Sequence, residues 1–416
     1  MAQLHKRFTD EQVRAIFRNY NDGQMRREDA QELLEICKSQ FFVLLKEFRA
    51  NPSTMTIEYN RKSVGRIQPE EEQTIRQELR REKALVDDDR LPITSYNYTA
   101  LRDRLRKHGI EVSVPTIIKR AKEEECYKPR RKHKAHDRQV ITSAIGEMIQ
   151  HDASTHLWSP LATEKWTLIT SLDDYSRKLV FADFFLHETS WAHIQAARKV
   201  IVENGLPVRY YVDNLRVFRF IQNRDSFWRN HVLETDDIDP QWKQVLRSLK
   251  VGVTYALSPQ AKGKIERPYR WLQDRIVRTC ALEGISSFEE ARAVLKEEVN
   301  RYNHLQVHST IGEIPEIRFE KAKAKGNSLF RPFTLPKPYT SLKDVFCFHD
   351  SRTLNGYRKI SIAGQEYEIP KVDPRETVDL HMLLVDPNLV EIRVWFKNKL
   401  AHTLTLPLTK LRTVHF

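Results

Sequence analysis

The stretch Ser258–Trp271, which reads SPQAKGKIERPYRW, combines a helix-start signal with one carboxylate among four basic side chains. Ser258 is a typical N-cap residue, and Pro259 suits the first helical position, where its missing N–H costs no hydrogen bond. Glu266 and Arg270 lie four residues apart and therefore share a face of the predicted helix. A surface ion pair is the ordinary outcome of this spacing and contributes little stability. The alternative is that Glu266 binds a metal ion while the surrounding bases hold a phosphate backbone.

Two apolar, strand-like runs upstream each carry one isolated aspartate. Asp152 follows Met148-Ile-Gln-His, and Asp213 follows Val208-Arg-Tyr-Tyr-Val. Aspartate is disfavoured inside strands, so a buried one needs a partner or a purpose. Two such aspartates and a helical glutamate, Glu266, would form an oxygen-ligand cage of the kind that Mg²⁺ prefers, and paired metal ions can clamp the attacking and leaving oxygens of a phosphodiester. The pattern therefore predicts a divalent-metal site.

Four phrases carry a resemblance to a known group of proteins, and they occur in that group's order. They are QHDAS, YYVDN, SPQAKGKIER and RYNHLQVHSTIGEIP. With them the chain resembles the DDE transposase and retroviral integrase superfamily over most of its length, and within it the bacterial insertion-sequence transposases. The resemblance implies a ribonuclease-H-like core in which Asp152, Asp213 and Glu266 are catalytic and bind two Mg²⁺ ions, which Mn²⁺ can replace.

The sequence departs from the compact spacing of many members of that superfamily. Asp213 and Glu266 are 53 positions apart, which predicts an insertion near 221–242, outside the catalytic sheet. The insertion supplies rival acids for the third ligand: Glu234, Asp236, Asp237 and Asp239. The zinc module that opens retroviral integrases has no counterpart, because no cluster of histidines and cysteines stands near the N-terminus.

The composition predicts a folded, multidomain, DNA-associated protein. A chain of 416 residues is too long for one ordinary core, so two to four domains are expected. The net charge of +13 indicates an anionic partner, and basic residues beside predicted helices favour double-stranded DNA over a membrane surface. The four scattered cysteines argue against disulfides and against a cysteine-rich zinc site. No signal peptide is visible, and the resemblance to bacterial insertion-sequence transposases implies a cytoplasmic, nucleoid-associated bacterial protein.

Two all-α helix-turn-helix modules are predicted in series, at 1–51 and at 69–138. In the first, Thr9 starts a capping box and Ser39 is expected to cap the third helix. A generic helical bundle is the alternative, because it would have the same sequence pattern. In the second, Ser113 caps a helix followed by a basic linker. Its predicted DNA contacts are Thr116, Lys119, Arg120, Arg130, Arg131 and Lys132. A solvated amphipathic helix is the alternative for this segment.

The α/β ribonuclease-H-like domain is predicted over 139–320, in the order βββ-α-β-α-β-α. Asp173 and Asp174 are expected to cap a hairpin, and His151 to pack on the face opposite Asp152. A flexible basic linker at 321–327 would lead to a small all-β barrel at 333–416, which helps to bind DNA or a partner subunit.

The resemblance implies a transposase that binds the terminal inverted repeats of a mobile element. It would cleave the ends to give 3′-hydroxyls and join them to target DNA by metal-dependent transesterification, as a homodimer or higher multimer. Gln260, Lys262, Lys264 and Arg270 are candidates for holding DNA beside the metal ions. The rivals are a transposase-derived sequence-specific DNA-binding regulator and a ribonuclease-H-like nuclease.

Overall fold

The computed structural model of the chain divides into two compact units, Met1–Thr74 and Ile75–Phe416. The residues that the structure describes are 4–57, 67–129, 141–212, 238–256 and 263–411. Among them, every helix is too short or too polar to cross a membrane.

The first unit contains three short helices around one apolar core. They are α1 (Asp10–Asn21), α2 (Arg27–Leu34) and α3 (Lys38–Ala50). Thr9 and Gln12 form the predicted capping box at the start of α1. The prediction for α3 was wrong in detail, because Cys37 is its N-cap and Ser39 lies within the helix. Phe17, Phe41 and Phe48 are buried in the centre of this unit, and the ring of Phe17 contacts the other two.

Three further helices precede the central sheet. They are α4 (Pro69–Asp87), α5 (Tyr98–Lys107) and α6 (Val114–Glu123). Ser113 caps α6 as predicted, accepting a hydrogen bond from the N–H of Thr116. The apolar stripe of α4 is thin, and Glu78 and Glu82 are buried beside it. Arg104 of α5 bonds both carboxylates, at 3.0 and 2.8 Å, so buried charges join α4 to α5.

A five-stranded mixed sheet forms the centre of the second unit. Its strands are β1 (Met148–His156), β2 (Trp166–Asp173), β3 (Leu179–Phe185), β4 (Arg209–Val212) and β5 (Gly252–Tyr255). The sheet order is β3-β2-β1-β4-β5. β1, β2 and β3 are antiparallel neighbours, whereas β4 runs parallel to both β1 and β5.

The helices alternate with these strands in the predicted order βββ-α-β-α-β-α. They are α7 (Ser190–Asn204), α8 (Ile238–Ser248) and α9 (Gly263–Glu283), followed by α10 (Phe288–His304) and α11 (Pro315–Ala324). Alternate residues of β2 face opposite sides of the sheet. Ile169 packs with α7 and α8, whereas Leu168 and Leu172 pack with α9 and α10. The sheet therefore has one core on each face, and α9 lies across the second.

The C-terminal strands form two separate antiparallel sheets. β6 (Phe348–Thr353), β9 (Thr377–Asp386), β10 (Leu389–Phe396) and β11 (Lys399–Pro407) pair in the order β11-β10-β9-β6, and β7 (Lys359–Ile362) and β8 (Gln365–Glu368) form a hairpin. In the described residues β6 and β11 are not paired with each other, so the closed barrel stays a prediction.

The C-terminal sheet shares a continuous apolar core with α7 and α8. The rings of Trp191 and Phe348 are 5.9 Å apart across this contact. The expected flexible linker at 321–327 was wrong. α11 continues to Ala324, and the side chain of Asn327 donates to the backbone oxygen of Ser143 at 2.9 Å, which fastens the segment to the residues that precede β1.

Candidate active site

Asp152 lies in the middle of β1, half-buried, on the face of the sheet that α9 covers. Its antiparallel partner on β2 is Thr170. The Thr170 side chain is buried and donates a hydrogen bond to Tyr269 of α9 at 3.0 Å. Cross-strand partners present their side chains on the same face of a sheet. The Asp152 carboxylate is therefore on the α9 face.

Tyr269 joins the helix that carries Glu266 to the strand that carries Asp152. Its hydroxyl donates to the backbone oxygen of Asp152 at 2.7 Å while accepting the bond from Thr170. Burial raises the pKa of this tyrosine well above its usual range, and the nearby charge of Asp152 raises it further. Tyr269 is three residues after Glu266, so the two lie on neighbouring parts of one helical face. One buried hydrogen bond thus fixes this part of α9 against β1.

Glu266 is exposed in the first turn of α9, with 47% of its side chain accessible. Arg270, 79% accessible, lies 3.4 Å away at the predicted spacing of four residues. In this structure the i,i+4 ion pair forms. An exposed pair at this distance is weak, so the carboxylate can exchange it for a stronger ligand.

Several predicted site residues lie outside the described part of the chain. They are Asp213, Gln260, Lys262, Arg130, Arg131 and Lys132, together with the rival acids Glu234, Asp236 and Asp237. Lys264 and Asp239 lie in α9 and α8, but their side chains are not among those described. The strand before Asp213 is described: β4 pairs in parallel with β1 up to Tyr211 and Gln150, which are two residues before Asp213 and Asp152.

The three predicted base-reading residues of α6 differ in their surroundings. Lys119 is exposed, as a groove contact requires. Thr116 is half-buried, and its hydroxyl is 2.8 Å from the Ser113 hydroxyl at the helix cap. Arg120 is half-buried and bonds Glu123 at 3.3 Å. Among these three side chains, therefore, Lys119 is the one that projects into solvent.

Asp173 and Asp174 hold the hairpin between β2 and β3, as predicted. Asp173 is fully buried and accepts bonds from the N–H of Gly146 at 2.9 Å and from the N–H and hydroxyl of Ser176 at 2.8 and 2.6 Å. Burial raises the pKa of Asp173 despite these donors. Asp174 accepts from Gln150 at 2.6 Å and from Arg177 at 2.9 Å. These partners account for the two acids as structural groups.

His151 is buried on the face opposite Asp152, as expected from strand alternation. Its ring stacks on Trp242 with centroids 5.6 Å apart, and its Nε2 is 2.8 Å from Nδ1 of His193. This contact corrects the predicted insertion at 221–242. Its last residues, 238–242, belong to α8, and Trp242 is part of the core beneath the sheet. Residues 221–237 lie outside the described part.

A buried charge network, missed from the sequence, attaches the α4–α5 segment to α9. Arg275 bonds Asp103 at 2.7 Å, and Arg278 bonds Glu82, with both arginines almost inaccessible to solvent. Beside the network is a cavity of about 580 Å³, lined by these and other charged residues of α4, α5, α9 and α10. The cavity lies away from Asp152 and Glu266. The sequence signal for such a contact is the pair Arg275 and Arg278, which lie three residues apart on the buried face of α9.

Comparisons with known proteins confirm the resemblance to insertion-sequence transposases. No protein-family model matches the chain. It is 28% identical over 230 residues to a putative transposase of Sinorhizobium fredii, a match that covers 55% of this chain and 45% of that protein. It is 28% identical over 170 residues to the transposase for insertion sequence IS1202 of Streptococcus pneumoniae, covering 41% of this chain and 35% of that protein. The matches therefore span less than half the length of these curated relatives.

Solved structures with some likeness to the chain include the catalytic core domain of BIV integrase. This chain is 17% identical to it, with a TM-score of 0.31, and the match covers 44% of this chain and 99% of that chain. A simian T-cell lymphotropic virus intasome in complex with a PP2A regulatory subunit also matches, at 15% identity and a TM-score of 0.36, covering 74% of this chain and 92% of that chain.

Proposed function

We propose that this protein is a DNA transposase that binds the ends of a mobile element, cleaves them to give 3′-hydroxyls and joins them to target DNA. The observation that carries the proposal is the Tyr269–Asp152 hydrogen bond, which holds the Glu266 helix against the β1 acid in a chain similar to insertion-sequence transposases. Strand, helix and acids then correspond to the catalytic arrangement that the resemblance implies.

Asp213 is proposed as the third acid because of the β1–β4 pairing. The parallel register runs through Gln150 and Tyr211. Continued by two residues, it would pair Asp152 with Asp213, and the two-residue period of a strand would keep both side chains on one face. The rival acids of the predicted insertion have no comparable argument from register. We therefore propose Asp152, Asp213 and Glu266 as the catalytic set.

The donor chemistry of these residues fits a hard divalent cation. Asp152 and Glu266 offer carboxylate oxygens at a partly accessible junction, and Mg²⁺ is bound in proteins by carboxylates and water. The three acids would hold two Mg²⁺ ions, with Mn²⁺ as a substitute. Bound there, the metal ions would offset charge on the reacting phosphate and lower the pKa of an attacking water.

The reaction has two transfers at phosphorus. In the first, water attacks the phosphodiester at the element end, the bond to the 3′-oxygen breaks, and a free 3′-hydroxyl results. In the second, that hydroxyl attacks a target phosphodiester, forming one bond to phosphorus as another breaks. In both, the chain's own groups position the reactants: Tyr269 keeps Asp152 fixed, and Arg270 can exchange Glu266 for a DNA phosphate.

DNA recognition is proposed for the helical segments before the sheet. Residues 1–51 would be one helix-turn-helix module, and 69–138 would be the second, with Lys119 of α6 reaching a groove. Arg130, Arg131, Lys132, Gln260, Lys262 and Lys264 would contact phosphates. A homodimer or higher multimer would pair two element ends. With this function the protein would be cytoplasmic, nucleoid-associated and bacterial.

The test is incubation of the full-length chain with duplexes taken from the DNA flanking its own gene. We expect specific binding to inverted repeats that weakens steeply with salt, because Lys and Arg contacts release counterions. We also expect nicking at the repeat ends and strand joining in Mg²⁺ but not in EDTA. Binding without nicking or joining would indicate a regulator. Cleavage of duplexes regardless of the repeats would indicate a general nuclease.

A further inference from the structure

Three metal-ligating side chains converge in the C-terminal sheet. Cys347 comes directly before β6, His349 is the second residue of that strand, and His381 lies opposite His349 on β9. Residues two apart on a strand face the same side, and so do directly paired residues, so the backbone brings the three together. One potential ligand atom from each lies within 4.8 Å of the other two. Cys347 and His381 are buried and His349 nearly so.

The distances suit a tetrahedral metal ion of the zinc class. Sγ of Cys347 is 3.6 Å from Nε2 of His349. With Zn–S near 2.3 Å and Zn–N near 2.0–2.1 Å, two such ligands at the tetrahedral angle are separated by about 3.6 Å. A thiolate and imidazoles are ligands that zinc prefers over magnesium. The cluster is therefore chemically unlike the carboxylates of the candidate active site.

The two imidazoles differ in the polar groups beside them. The ring of His349 hydrogen-bonds the backbone of Val345 while its Nε2 faces Cys347. A backbone group behind a ring fixes its tautomer and leaves the other nitrogen for a metal. Nδ1 of His381 is 3.5 Å from Oδ1 of Asp344, longer than an ordinary hydrogen bond.

Asp344 itself is fully buried and held from other directions. Arg393 bonds both of its oxygens, at 2.6 and 3.1 Å, and Nε1 of Trp395 donates at 2.8 Å. A carboxylate committed to these donors is not available as a ligand.

We propose that Cys347, His349 and His381 bind one Zn²⁺ ion. The site lies where the C-terminal sheet meets α8. The backbone N–H of His349 donates to Gln241 of α8 at 2.7 Å, and its backbone oxygen accepts from the same side chain at 2.8 Å. The ion would therefore cross-link β6 and β9 at their contact with α8.

The test is cobalt substitution of the full-length protein, purified with chelator and without metal-affinity resin. One equivalent of Co²⁺ should give tetrahedral ligand-field absorption and a thiolate-to-cobalt charge-transfer band, and Zn²⁺ should displace both. Cys347→Ser should abolish the charge-transfer band. Cys37→Ser is the matched control, because it removes an exposed thiol elsewhere in the chain and should leave the band intact. Mg²⁺ should not compete.

A second measurement remains decisive even if Cys347→Ser fails to fold. One equivalent of Zn²⁺ should raise the thermal midpoint of the unsubstituted protein relative to EDTA, because an ion that binds only the folded state stabilises it. The absence of both a stoichiometric cobalt spectrum and a Zn²⁺-dependent midpoint shift would overturn the proposal. So would a charge-transfer band that persists in Cys347→Ser and disappears in Cys37→Ser.

Discussion

Asp152 and the Asp173–Asp174 pair are acids of the same two neighbouring strands, but they lie in opposite kinds of environment. The pair is buried and accepts hydrogen bonds from backbone, hydroxyl, amide and guanidinium donors around the β2–β3 hairpin. Asp152 is only half-buried and faces the accessible junction with α9. An acid enclosed by its own donors stabilises a turn, whereas one at an accessible junction can take an external ligand.

The largest expected effect is on catalysis, from the acids at the junction. Asp152→Asn and Glu266→Gln keep side-chain size but remove a charge that a divalent ion needs. Each should lower the rates of end cleavage and strand joining by on the order of 10⁴-fold, the scale of losing one member of a catalytic group. Gel-based cleavage and joining assays on the element ends measure this.

The controls separate charge at the junction from charge in general. Asp183→Asn changes a β3 acid bound to Arg292, and Glu283→Gln changes an exposed acid on the same helix as Glu266. Both should keep cleavage near the parental rate, and binding to the ends should survive in all four variants. Near-parental strand joining by Glu266→Gln would remove that residue from the catalytic set.

The next effect concerns stability and comes from the hairpin pair. Asp174→Ala leaves the buried Arg177 guanidinium without its carboxylate, and an unpaired buried charge costs about 3–5 kcal/mol. Chemical denaturation of the central sheet should show this loss. Asp183→Ala, which breaks a far more exposed pair with Arg292, should cost at most about 1 kcal/mol. Equal losses in the two variants would contradict the distinction between enclosed and accessible acids.

Much of this architecture could be predicted because it is local. The order of strands and helices along the chain, the Thr9 and Ser113 helix caps, and the hairpin role of Asp173 follow from alternation, capping and turn chemistry over a few residues.

What the sequence did not reveal depends on contacts between distant positions. The sequence places Trp242 in the predicted insertion because its neighbours are polar. In the structure its ring is buried and packs on His151. The sequence does not reveal the cluster of Cys347, His349 and His381, because His381 lies on another strand and only the β6–β9 register brings it close to the other two. Likewise, the sequence does not distinguish Arg278 of α9 from the other basic residues, because its buried partner Glu82 lies far away along the chain.

The smallest expected effect comes from removing one hydroxyl group, that of Tyr269. Tyr269→Phe removes the donor to the Asp152 backbone and the acceptor for Thr170, leaving buried polar atoms without this partner. We expect a stability loss of about 1–3 kcal/mol. Because Asp152 would be held less rigidly, strand joining should also slow by about 10-fold, with a higher Mg²⁺ concentration needed for half-maximal rate. Denaturation and Mg²⁺ titrations of strand joining measure the two effects.

Tyr302→Phe is the matched control for that hydroxyl. Tyr302 is buried in the same core as Tyr269, but within the described residues its hydroxyl makes no hydrogen bond. Removing it should therefore leave stability and the Mg²⁺ requirement nearly unchanged. If Tyr269→Phe lost stability but kept the parental Mg²⁺ dependence, Tyr269 would be only a packing residue. A shift in that dependence confined to Tyr269→Phe would show that the hydrogen bond to β1 helps to position the acids.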